Sequence, residues 1–147
     1  MSQVLRQAFT EAFELPPAAA AWLLDLWNVT QTFDDLIDGD PVTRDQLDAM
    51  IYASLVDLPA NPFYMAHASQ LSPLLASAVL RWKASDTAER SRVADEKSFM
   101  WRAAYYDIVL MVVMLCHGPK AAMQVADKVM ALYGEKYEDY RKEFPNA

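Results

Sequence analysis

A chain of 147 residues, 54% of them apolar, with 4 Trp, 8 Met and only 3 Gly, is material for one sizeable core and excludes a long disordered or low-complexity protein. The net charge of -7 excludes a phosphate-backbone binder, because affinity for nucleic acid rests on clustered Lys and Arg; it favours a basic or metal-bearing partner. The lone Cys116 excludes an intrachain disulfide, and in its apolar run it reads as a buried thiol in a reducing compartment.

Taken in chain order, the prolines punctuate an all-α sequence. Val4, Leu5, Ala8, Ala12 and Leu15 recur at helical spacing over residues 2–14, and Pro16-Pro17 stops that helix and starts the next. The second helix, about 17–38, places Trp22, Leu26, Val29, Phe33 and Leu36 on one face and Asn28, Gln31, Asp35 and Asp38 roughly opposite; Gly39, Asp40 and Pro41 end it. Thr43 with Gln46 forms a capping box for a third helix to about Val56. Asn61-Pro62 opens a fourth, which Ser72-Pro73 is expected to kink or split. Asp86 with Glu89 is expected to cap a fifth, about 86–117, closed by Gly118-Pro119, and a sixth runs from Pro119 to about Glu143. No period-2 run bounded by hairpin turns is visible. The expectation is one domain over 1–147, a bundle of about six helices, with Trp22, Leu26, Val29, Phe33, Ile108, Val112 and Leu115 in one core. The apolar run 108–115 falls short of the roughly 18 residues a membrane span needs, and with Glu11 and Glu14 in place of a signal-peptide core the expected location is cytoplasmic, with no membrane span.

Chemistry concentrates at the end of the second helix. Asp34 and Asp38 are four apart and Asp35 and Asp38 three apart, so their carboxylates share one helix face. Acids at a helix C-terminus are disfavoured by the backbone dipole, by roughly 0.3–1 kcal/mol each, unless something positive offsets them. Hard carboxylate oxygens without His or Cys suit Mg²⁺, which normally takes one or two protein carboxylates together with substrate phosphates.

At these residues the chain resembles the class I isoprenoid (terpenoid) synthases, an all-helical family whose first aspartate-rich motif, DDxxD, ends a cavity-lining helix. The resemblance implies Mg²⁺ held by Asp34, Asp35 and Asp38 to engage a prenyl diphosphate, with Gln31 one turn back as a further contact. The family's second metal motif is echoed only in part by residues 94–102, where Ala94 and Arg102 stand at its first and last ligand positions, and the chain is about half the family's usual length. Whether the chain is an enzyme is therefore left open.

Asp107, surrounded by Tyr105, Tyr106, Ile108, Val109 and Leu110, requires a partner if buried. It shares a stripe with Glu96, Met100 and Ala103, so Glu96 and Asp107 are candidates for a second acidic site; the alternative is a structural ion pair with Arg81, Lys83 or Arg102. His67 and His117 stand alone, without ligand spacing. Tyr133, Tyr137, Tyr140 and Phe144 recur along the last helix. Such a stripe is either core or, in its distal part, an interface, so that Tyr137, Tyr140 and Phe144 are candidates for a homodimer contact. Two readings follow: a truncated isoprenoid-synthase-like domain that binds Mg²⁺ and a diphosphate, or a non-enzymatic protein–protein interaction module of the accessory or phage-encoded kind, using acidic and aromatic surfaces to take a basic protein partner.

Overall fold

The computed structural model describes residues 1–145 and is helical, with no strand among them. It consists of two compact units, Met1–Ala68 and Ser69–Ala147.

In the first unit, helix α1 (Ser2–Gln7) widens into a π turn, Ala8–Ala12. Glu14, at φ 47°, turns the chain, and Pro17 opens α2 (Pro17–Asp38) at the position where a missing N–H costs nothing. Gly39 ends α2 in the left-handed conformation (φ 76°), its N–H reaching back to the carbonyl of Leu36. The Thr43/Gln46 capping box is present in both directions, at 3.1 and 2.8 Å, and starts α3 (Arg44–Tyr52), which continues as a π turn, Ala53–Asp57, and a last turn, Leu58–Ala60. Asn61 begins the next helix: its side-chain oxygen accepts from the N–H groups of Phe63 and Tyr64, while its amide donates to the carbonyl of Ala18 at 2.9 Å. Leu5, Phe9, Phe13, Trp22, Leu23, Leu26 and Val29 are buried, and Trp22 stacks on Tyr64 at 5.4 Å.

Helix α4 (Pro62–Arg90) passes through Pro73, and its one non-helical residue is His67, six positions earlier than the expected kink. It continues past Asp86, so Asp86 is not a cap. That side chain is buried in the last turns, where the i,i+4 pair with Arg90 (2.9 Å) and the i,i+3 pair with Lys83 (3.6 Å) hold it in the helix. Arg92, at φ 59°, turns the chain out of α4. The actual cap is Asp95, which accepts from the N–H groups of Lys97 and Ser98 and so starts α5 (Glu96–Trp101). Ala104 leads into α6 (Tyr105–His117), and Gly118 (φ 88°, ψ 169°) joins it to α7 (Pro119–Ala131) in a tight hairpin. The expected single helix from Pro119 to Glu143 is interrupted over 132–136 and resumes as α8 (Tyr137–Glu143). Among the described residues, one stretch, Glu96–His117, is long and apolar enough to cross a membrane by length and composition; it is interrupted between α5 and α6, and its Ile108, Val109, Val112 and Val113 are buried.

The residues expected in one core divide between the units. Trp22, Leu26 and Val29 are buried in the first, Ile108 and Val112 in the second, and Leu115 is half-buried. Phe33 is a correction, since it is 45% exposed, and Leu36 beside it is 42% exposed. A 22-residue helix is about 33 Å long, and the 11 residues of α1 and its π turn span only about half of that, so the last turns of α2 outrun the segment packed on its beginning.

Candidate functional site

The aspartate cluster sits where the sequence places it, on the last turns of α2. Asp34 and Asp35 are half-buried and Asp38 is exposed, as is Gln31. The last turn of α2 contains no basic residue. Arg44, across the turn, is ion-paired to Asp48 on its own helix at 3.2 Å. Among the described residues no three Asp, Glu, His or Cys side chains form a group able to hold a metal ion, the aspartate set included.

Glu96 and Asp107 lie in the other unit. Glu96 is exposed in the first turn of α5, where it bonds the hydroxyl of Tyr137. Asp107 is bonded to the guanidinium of Arg81, the structural ion pair that was the alternative reading. Arg81 also lies over the ring of Trp101, 5.6 Å from its centre.

The aromatic stripe forms core in the second unit. Tyr140 is fully buried, Tyr137 and Phe144 are half-buried, and all three pack with Tyr133 against the cluster built on Phe99 and Ala94. Beneath the stripe lies a polar network that brings Glu89, Arg102, Tyr133 and Tyr140, which the sequence placed in other roles, together with Ser85, Ser98 and Glu135. Arg102 Nη1 is 3.3 Å from Glu89 and 3.5 Å from Glu135, at ion-pair distance though outside hydrogen-bond geometry, and the guanidinium lies over the Tyr140 ring at 5.1 Å. The Tyr140 hydroxyl donates to Glu89 at 3.0 Å and lies 2.7 Å from Ser98 Oγ. The Tyr133 hydroxyl is 3.0 Å from both the Phe99 carbonyl and Glu135, and Ser85 donates to the Ser98 carbonyl at 2.9 Å. Burial raises the Glu89 carboxyl above the usual range, with Arg102 and Tyr140 pulling the other way, and burial pushes the Tyr140 hydroxyl up to about 12. Burial also works against the charge of Arg102, but Glu135 and Glu89 outweigh it and raise the guanidinium. Apart from Arg102 Nη1, which has ion-pair neighbours but no hydrogen bond, these groups bond one another within the unit, and the network holds α5 and α8 on the end of α4. The Asp95-x-x-Ser98 pair is the sequence signal that could have located it.

Large apolar side chains are exposed in both units, Val79, Leu80, Trp101, Met123 and Met130 among those of the second, and in the first they cluster on residues 51–56. Leu47, Met50, Ala53, Ser54 and Leu58 are the half-buried positions of 44–60, whereas Ile51, Tyr52, Leu55 and Val56 face solvent, Tyr52 at 60% and Leu55 at 73% exposure. Asp45 and Asp48 precede them at helical spacing and are exposed as well. Charge is divided unevenly. Residues 1–68 contain ten acidic residues against Arg6 and Arg44, a balance of -8, while residues 69–147 contain ten against eleven basic ones, a balance of +1, which together make the chain's -7. No protein-family model, curated protein or solved structure matches this chain.

Proposed function

We propose that this chain is a non-enzymatic protein-interaction module whose docking surface is the outward face of α3 and the turn that follows it. The observation that carries this reading is the set Ile51, Tyr52, Leu55 and Val56: four large apolar side chains, neighbours at helical spacing, each at least 40% exposed, on a helix whose opposite side already meets the rest of its unit. Burying a side chain of this size is worth about 1.5–3 kcal/mol. A contiguous apolar set left in water is the usual mark of an interaction surface. The exposed, acidic setting also supports docking: Asp45 and Asp48 stand exposed beside the apolar set.

Proximity labelling in the source cell, comparing wild type with the double variant Tyr52→Ser, Leu55→Ser, tests the reading. The variant is expected to melt at or above the wild-type temperature and to lose a defined subset of labelled neighbours. An unfolded variant would show that the face is core, and identical labelling by a folded variant would show that it is not the docking surface.

A further inference from the structure

We infer that the outward face of α3 and of the π turn that continues it takes a cationic amphipathic helix of another protein, with apolar anchors on Ile51, Tyr52, Leu55 and Val56 and Lys or Arg side chains against Asp45 and Asp48. This rests on the docking reading above and names the chemistry of the partner.

The first argument is the order of residues along the face. Asp45, Asp48, Tyr52 and Leu55 follow one another at steps of three, four and three, with Ile51 and Val56 alongside, so one stripe passes from carboxylates to apolar side chains within about three turns. A complementary segment must present apolar side chains for about two turns and positive charge in the next, which a helix with i, i+3, i+4 anchors and a basic flank does.

Charge supplies the second argument and weighs against a face-to-face copy, nucleic acid and anionic lipid. A second copy docked face to face would bring two units of balance -8 together, which like-charge repulsion opposes. The same balance repels nucleic acid and anionic lipid surfaces. Within the unit the only basic residues are Arg6 and Arg44, and Arg44 is already spent on Asp48 in a pair with side chains 86% and 58% exposed. A surface pair of that kind is worth about 0–1 kcal/mol, so an incoming guanidinium or ammonium exchanges with it readily.

The test uses the full chain and two fluorescein-labelled probe peptides of about 18 residues, roughly five turns: one a Leu/Lys amphipathic helix, the other with every Lys replaced by Glu. Binding is read by anisotropy, with circular dichroism melts of each variant. The Lys peptide is expected to bind wild type and to weaken about tenfold or more from about 50 to about 500 mM NaCl, as screened charge pairs do. It should also weaken about tenfold on Tyr52→Ser with Leu55→Ser, the loss expected for anchor contacts. Asp45→Asn with Asp48→Asn, both on the surface, should weaken it severalfold and reduce the salt dependence, which tests the inference even if the apolar variant misfolds. If the Glu peptide binds as tightly in a Tyr52- and Leu55-dependent way, or if wild type dimerises through this face at micromolar concentration, the partner class is overturned while the docking surface stands. If neither peptide binds at about 100 μM, or both bind wild type and folded variants alike, the docking surface fails with it.

Discussion

Tyr140 shows how much one side chain can hold. Its ring fills the space between Phe99 and Phe144, its face receives Arg102, and its hydroxyl joins Glu89 to Ser98. Tyr140→Phe keeps the packing and removes only the hydroxyl, and it is expected to cost about 1 kcal/mol, the loss of the 3.0 Å bond to a carboxylate that keeps its contacts with Ser85 and Arg102. Tyr140→Ala adds a cavity and is expected to cost about 3–5 kcal/mol, both by urea unfolding followed in the second unit. Glu89 adds a pH dependence of definite sign. Its folded-state value lies above the ordinary 4.5, so the native state holds the proton more tightly than the unfolded chain. That contribution is fully present below pH 4.5 and is lost as pH rises through the native-state value. In urea titrations across this window, wild type is expected to lose stability relative to Glu89→Gln, and a constant difference would refute the assignment. At the end of α2 the metal question is decided by melting. Under the docking reading, millimolar Mg²⁺ leaves the melting temperature unmoved. A rise abolished by Asp35→Asn with Asp38→Asn would restore Asp34, Asp35 and Asp38 as ligands, since a ion bound only by the native state stabilises by about 2.7 kcal/mol at a hundredfold excess over Kd.

At the scale of elements, most helix ends that carry the usual marks were legible, while the Asp95 cap and the break at Gly134 carry them and were read through, and the end of α4 carries none. Pro17, the Thr43/Gln46 box, Asn61-Pro62, Gly39 and Gly118-Pro119 each stand at an end the structure bears out, because each solves a backbone problem in a way few residues can. The end of α4 has no such mark. It closes with Val93 N–H on the Ala88 carbonyl and with Arg92 in the left-handed conformation, a place where glycine is usual. Without a glycine to read, residues 86–117 looked continuous, and Asp86 and Glu89 passed for a cap although they belong to the buried end of α4. Arg92→Gly is accordingly expected to raise stability by about 1 kcal/mol, the left-handed penalty of a side chain with Cβ, measured as a shift in the urea midpoint. Asp95→Ala should cost about 1 kcal/mol by removing the cap that the sequence hid in plain view. The polar network was illegible for a different reason: Ser85 and Glu89 share α4, and Ser98 and Arg102 stand four apart at α5 and its end, but Glu135 and Tyr140 come from more than thirty residues further along the chain, and no local period links them to the rest.

Over the whole molecule, an all-helical architecture could be read from proline spacing and apolar periodicity, but its division at residue 68 could not. The division falls inside α4, one residue after the non-helical His67, where the sequence runs on without a linker. The charge imbalance that follows the same division makes a prediction at this scale. Self-repulsion in a unit of balance -8 is screened by salt, whereas a unit near neutrality has little to screen. Raising NaCl from about 50 to about 500 mM is therefore expected to slow amide exchange in the core of α2 more than in α6 and α7, and an equal effect would count against charge as the limiting term.

Tyr140 also sets an order of events in time. The chain is synthesised from its N-terminus, and Tyr140 is added 51 residues after Glu89 and 42 after Ser98. At roughly 5–20 residues per second that is a delay of about 2–10 s. Throughout it, Glu89 and Ser98 exist without the hydroxyl that joins them, while every residue of the first unit has already been made. The acidic unit, with its apolar face, is thus available to a partner on the nascent chain before the second unit can close.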